Sequence, residues 1–227
     1  RCLWHRESGP ESRHHPAARP GHRHAGSIIR SRRGPEKPSD DAAGLVKALG
    51  FKKVNIFSWS MGARIGQQLV IRHPDLVDKV ILCAPNPGGK YQIAISEKVG
   101  KELNNPSLSP MENFELLFPN TSEGKAAAKL VYARITSAAA AGTIPNDFVV
   151  SEETKQRQVR ARIALWNADN SNYNDLKNIT APVLVADGRD DIIDNPQNSV
   201  VIANQIPFAW LAFYEGGHAF LFQSYKK

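Results

Sequence analysis

Cysteine is almost absent. Cys2 and Cys83 are the only two in 227 residues and lie far apart, which excludes a disulfide framework and thiols at metal-ligand spacing. A reducing, cytoplasmic setting is expected. Methionine is as scarce, with two residues, and aromatics make up 8%. No apolar run approaches the roughly 20 residues of a membrane span. The first residues lack the apolar core of a secretory signal. No membrane partner, no metal and no cofactor is expected. What is present is enough apolar residue, 41%, to bury one sizeable core.

Positive charge is unevenly placed. Residues 1–37 carry eight arginines and one lysine against three glutamates, a net +6, whereas residues 38–227 carry 20 basic and 19 acidic residues. The basicity belongs to the first segment. Such a segment can bind phosphate backbones without sequence preference, but a solvated charge run is the commoner outcome, and nucleic acid is the disfavoured partner. Five of the seven histidines, His5, His14, His15, His22 and His24, fall in the same stretch. Their spacing matches no regular ligand set. With no periodicity beyond Ile28-Ile29, residues 1–37 are expected to be a disordered basic tail.

From Pro38 the texture changes. Ser39 is placed to cap a helix through Ala42, Ala43, Leu45, Val46 and Leu49, with Gly50 as its stop. Val54–Phe57 reads as a strand, Met61 to Arg72 as a helix, and Val80–Ala84 as a buried strand. Val183–Ala186, Asn198 to Gln205 and Trp210–Tyr214 continue as strand, helix and strand. Apolar strands alternating with helices predict an α/β fold with a mostly parallel sheet flanked by helices. Residues 86–180 show no strand signal but helical patches, Gly124–Thr136 and Glu152–Trp166. They predict a helical cap inserted into a core made of residues 38–85 and 181–227.

One short stretch, Phe57-Ser58-Trp59-Ser60-Met61-Gly62-Ala63-Arg64, joins the first strand to the next helix. A serine hydroxyl needs a base within hydrogen-bond reach, and the base needs an orienting carboxylate. A tight strand-to-helix turn with small neighbours exposes such a serine. Beyond residue 37 only two histidines occur. His73 ends a helix, and His218 follows the last strand. Asp187, Asp190, Asp191 and Asp194 follow the strand before it. Serine, carboxylate cluster and His218 all fall at carboxyl ends of parallel strands, where open α/β sheets place their sites. The alternative is three unrelated polar residues on loops.

With these segments the chain resembles the α/β-hydrolase fold family, from about Ser39 to Lys227. The resemblance is nearest the small esterase, enol-lactonase and cofactor-free haloperoxidase group. It implies Ser60 as nucleophile, Asp191 in Gly188-Arg189-Asp190-Asp191 as acid, His218 as base, and the Met61 backbone N–H as an oxyanion donor. Trp59, with Phe114, Trp166 and Phe220, is a candidate lining of an apolar acyl pocket, against plain core packing. Two residues depart from the family pattern: Ser58 stands for the first elbow glycine and Ala63 for a frequent later one. The family also places several strands and a His-Gly loop before the nucleophile strand. Four strands, two helices and their loops need roughly 70 residues, and 53 precede Val54. The N-terminal strands and second oxyanion donor are thus expected to be missing. The Arg, His and Pro-rich opening is what a shifted reading frame through GC-rich DNA yields, with the true first strands in another frame. The expected activity is serine hydrolysis of small carboxylic esters or lactones. The alternative is a catalytically impaired or inactive homologue. The sequence leaves the oligomeric state open.

Overall fold

A computed structural model describes residues 37–144, 151–162 and 171–223. The basic tail with its histidines, the early reading-frame question, Trp166 and the end of the Glu152–Trp166 patch lie outside these residues. Helix α1, Lys37–Ala48, opens the described chain, followed by β1, Val54–Trp59, α2, Met61–Arg72, and β2, Val77–Cys83. Five helices then precede the next strand: α3, Glu97–Leu103; α4, Pro110–Glu115; α5, Ser122–Ala140; α6, Glu152–Arg162; and α7, Ser171–Asp175. The chain closes with β3, Val183–Gly188, α8, Gln197–Gln205, β4, Ala209–Tyr214, and a short α9, Phe220–Gln223.

The four strands form one sheet in the order β1-β2-β3-β4, and every neighbouring pair is parallel. Parallel neighbours require a crossover, and each crossover here carries at least one helix. Period-two alternation sends Val80, Leu82, Val183 and Val185 into a core with Leu69 and Val70 of α2 and Ile202 of α8. Cys83 and Ala186 point to the opposite face, where they meet Phe220 of α9. On that face one register row runs Phe57, Ile81, Leu184, Trp210. Its ends are open to solvent, Phe57 being 65% and Trp210 55% exposed.

Helix α1 begins earlier than Ser39, which sits inside it and is buried. The Ser39 capping expectation is therefore corrected: the helical backbone extends two residues upstream. Leu45 and Leu49 are exposed, and Ala43 carries the contact with the core. Gly50 ends the segment at φ 78°, the left-handed conformation that glycine takes without a Cβ penalty. His73 Nε2 donates to the Asp40 carboxylate over 2.9 Å, and Arg72 forks onto the same carboxylate. The His73 hydrogen bond first, and Arg72 with it, hold the Asp40 carboxyl below its ordinary range against the opposing effect of burial, which outweighs the Arg72 hydrogen bond alone.

Capping explains the helices between β2 and β3. Ser96 accepts from the Val99 N–H, Thr121 from the Gly124 N–H, and Ser109 with Glu112 forms a reciprocal capping box. Phe118, Ala128 and Val131 pack with Ala219, which ties α5 to the turn after β4.

Candidate active site

Three polar side chains gather at the carboxyl ends of the strands. Ser60 stands between β1 and α2 at φ 56°, ψ −123°. A non-glycine residue at positive φ is strained. Two bonds hold it: its N–H donates to the Cys83 carbonyl at 2.9 Å, and its carbonyl accepts from the Ala63 N–H at 2.9 Å. The same geometry aims the Ser60 side chain away from the sheet and toward His218. Ser60 Oγ lies 2.7 Å from His218 Nε2, and His218 Nδ1 lies 2.7 Å from Asp191 Oδ2. The other Asp191 oxygen accepts the N–H groups of Ile193 at 2.8 Å and Asp194 at 2.9 Å. Asp191 and His218 are both buried.

Ser58 shows how this turn forms without the first glycine. Its hydroxyl donates to the Ile81 carbonyl at 3.0 Å, which anchors β1 to β2. Helix α2 crosses directly above it, and a Cβ on Gly66 would stand 2.8 Å from Ser58 Oγ. The absence of a Cβ at Gly66 leaves room on the facing helix for the Ser58 side chain.

The acid and histidine loops touch through their backbones. The Asp190 N–H donates to the Gly216 carbonyl and the Arg189 N–H to the Tyr214 carbonyl, each at 2.9 Å. A Cβ on Gly188 would come within 2.2 Å of the Gly217 carbonyl oxygen. Only glycine permits that approach.

Met61 opens α2, so its N–H is among the first-turn donors that lack an intrahelical partner. The Met61 side chain lines a cavity of about 530 Å³ beside Ser60. Gly100 and Leu103 of α3 and Gln158 and Val159 of α6 form its far wall. Its polar floor comprises Arg64, Asn86 and Asp194. Arg64 Nη2 and Asn86 Nδ2 both donate to Asp194 Oδ1, at 3.2 and 2.8 Å. Sequence reading passed over Arg64 and Asn86. The available signal was position: Arg64 follows Ser60 by four residues on a helix and so shares its face, and Asn86 follows the end of β2.

Trp59 does not line this cavity. Its indole Nε1 donates to the His218 carbonyl at 2.7 Å, and its ring packs edge-on against Phe222. Phe114 packs on Phe118 and Tyr132, and Phe220 stacks on Tyr214. Each of these three aromatics is engaged in packing contacts. Asp190 is exposed, the histidine contact being made by Asp191, and His73 is engaged at Asp40. Among the described residues no cluster of three or more metal-binding side chains occurs.

A family model described as alpha/beta hydrolase fold matches residues 39–225. The chain belongs to the α/β-hydrolase fold family. Solved members of this α/β-hydrolase fold superpose on it at low identity. A serine hydrolase from the polyaromatic-hydrocarbon-degrading bacterium Cycloclasticus zankles is 18% identical with a TM-score of 0.64, over 89% of this chain and 72% of that one. The 2-hydroxy-6-oxo-6-phenylhexa-2,4-dienoate hydrolase of Rhodococcus sp. strain RHA1 is 21% identical with a TM-score of 0.62, over 85% and 66%. An N-acyl homoserine lactone degrading enzyme is 20% identical with a TM-score of 0.61, over 86% and 72%. The chain thus spans about two thirds of the length of such structures. No curated protein matches it significantly. Among the described residues, no helix is long and apolar enough to cross a membrane.

Proposed function

We propose that this α/β-hydrolase is a serine hydrolase of small carboxylic esters or lactones, with Ser60 as nucleophile, His218 as general base and Asp191 as the orienting acid. The observation that carries the reading is the hydrogen-bonded line Ser60 Oγ, His218 Nε2 and Nδ1, Asp191 Oδ2, with both contacts at 2.7 Å. In the first step Ser60 Oγ attacks the substrate carbonyl carbon while its proton passes to His218 Nε2. Negative charge develops on the former carbonyl oxygen, where the Met61 N–H stabilises it. His218 then gives the proton to the leaving alkoxide oxygen, leaving an acyl ester on Ser60. Water, deprotonated by His218, attacks that ester, releases the carboxylic acid and returns the proton to Ser60. The buried Asp191 carboxylate balances the imidazolium in both halves.

In this reading residues 86–180 act as a cap, since α3 and α6 wall the cavity opposite Ser60. The ester and lactone class draws support from lactone and carbon-skeleton hydrolases among the structural relatives.

Turnover of p-nitrophenyl butyrate tests the assignment. Ser60→Ala is expected to lower kcat by at least about 10³-fold with the fold intact. A Ser60→Ala protein as active as the parent chain removes Ser60 from the role.

A second reading, a homologue that binds without turnover, draws on the sheet row whose ends, Phe57 and Trp210, are exposed. A folded parent chain that neither hydrolyses esters nor is labelled at Ser60 by a fluorophosphonate favours that reading.

A further inference from the structure

The indole of Trp59 makes two contacts with His218 that packing alone does not call for. Its Nε1–H donates to the His218 backbone carbonyl at 2.7 Å, and its ring stands 5.3 Å from the imidazole, centroid to centroid, tilted by 44°. The strand that ends at the nucleophile thereby holds the base, although Trp59 and His218 are 159 residues apart along the chain. The backbone at His218 needs such a hold. It runs Gly216-Gly217-His218-Ala219, with Gly216 at φ 129°, in a region that only glycine enters freely. Small residues of this kind do not by themselves fix where the His218 side chain points. The peptide unit joining His218 to Ala219 is instead gripped at both ends. Its carbonyl accepts the Trp59 indole, and its N–H donates to the Leu117 carbonyl at 2.8 Å. A peptide unit is planar, so two bonds at opposite ends fix its plane, and that plane sets the direction in which the His218 side chain leaves the backbone. The tilted indole then limits rotation of the ring about its last side-chain bond, a broad torsion in histidine. Trp59 is itself anchored, as the last residue of β1, opposite Cys83 of β2, with Phe222 edge-on to its ring at 5.4 Å.

We propose that Trp59 is a positioning residue for the reaction: its indole N–H clamps the peptide after His218, and its ring restrains the imidazole, so that Nε2 stays on Ser60 Oγ while Nδ1 stays on Asp191. The kinetic consequence rests on the serine-hydrolase reading; the structural one does not. Asp191 holds the imidazole from one side through a single bond to Nδ1 at 2.7 Å. One bond leaves the ring free to pivot about it, and the Trp59 contacts remove that freedom. Ser60 and its base are thus referenced to the same strand end, and both proton transfers of the cycle, to and from Nε2, use one geometry. Trp59 takes no part in holding substrate, since it lies outside the cavity lining.

The test compares the parent chain with two variants. Trp59→Phe keeps a ring and loses the N–H. Phe222→Ala removes an aromatic neighbour of Trp59 and leaves the N–H in place. With p-nitrophenyl butyrate at pH 7, Trp59→Phe is expected to lower kcat about tenfold, the scale of one lost hydrogen bond, with KM within about twofold. Phe222→Ala is expected to keep kcat within about twofold, whatever its thermal midpoint. Equal effects of the two variants on kcat, or a Trp59→Phe loss that falls on KM, reduce Trp59 to packing and overturn the proposal. Proton NMR adds an arm that needs no turnover. The His218 Nδ1 proton, bonded to Asp191, is expected to give a sharp low-field resonance in the parent chain and in Phe222→Ala. In Trp59→Phe it is expected to broaden through faster exchange with water. The same resonance in all three proteins overturns the proposal. If Trp59→Phe does not fold, the parent chain decides alone: its Trp59 indole proton is expected to exchange at least about tenfold more slowly than that of the exposed Trp210, and equal rates overturn the proposal. If Ser60→Ala keeps its activity, the hydrolase reading fails by itself, and the Nδ1 resonance still decides the role of Trp59.

Discussion

Asp187 makes stability depend on pH in an unusual direction for a carboxyl group. Its pKa rises from 3.8 to about 8 on folding, through burial and then the Asp191 charge. The folded chain therefore holds a proton that the unfolded chain releases above about pH 4. The associated stabilisation is complete below the unfolded value, shrinks as pH rises, and is gone once pH passes the folded value. The slope in that window reaches at most about 1.4 kcal/mol per pH unit. Urea midpoints for the parent chain are expected to fall between pH 5.5 and 8, and those of Asp187→Asn to fall less. Parallel midpoint curves contradict this. Residue identities at the site were legible to different degrees. Ser60, Asp191 and His218 stand out because each follows an apolar strand in a required order. Asp187 lay in the same acidic cluster, but nothing in a linear sequence distinguishes a carboxyl sealed under α8 from one facing solvent. Trp59 adjoins Ser60 in sequence, and its indole also reaches the His218 carbonyl on another loop, a contact no linear pattern shows.

At the scale of elements, the close contact of β1 and α2 at Ser58 and Gly66 gives a coupled prediction. A Cβ at residue 66 meets Ser58 Oγ at 2.8 Å, so Gly66→Ala forces the hydroxyl off the Ile81 carbonyl. A loss of about 1–2 kcal/mol is expected, the scale of overpacking with a broken hydrogen bond. Adding Ser58→Gly removes the obstructing atom, and the double variant is expected to be more stable than Gly66→Ala alone. Additive losses, measured by denaturant unfolding, contradict the coupling. All four strands and α2 are legible in the sequence, because apolar runs bounded by glycine, proline and asparagine have few other readings. Their ends are less so. β1 extends to Trp59 and β2 begins at Val77, since parallel pairing extends strands beyond their most apolar residues. Leu45 of α1 and Leu49 just past its end are exposed, since amphipathic spacing records that a helix has an apolar side and not that anything covers it.

At the scale of the whole molecule, among the described residues, one sheet face carries an apolar row of Phe57, Ile81, Leu184 and Trp210 whose two ends are exposed. Large exposed apolar patches favour self-association. Light scattering at rising concentration is expected to show association of the parent chain, reduced in Phe57→Ser with Trp210→Ser. Each change sits at an exposed position, so stability is expected to move by less than about 0.5 kcal/mol. Equal scattering from both proteins contradicts this. Finally, Ser60 follows the first described strand, whereas His218 follows the last. The pair meets only when every crossover between them has been threaded, 158 residues apart along the chain. Such remote contacts form late, after the loop-closure entropy of the whole topology has been met. On the proposed reading, reactivity of Ser60 acts as a seal on finished folding: a nascent or frayed chain holds an inert hydroxyl, and the proposed nucleophile is armed only once the final strand has docked.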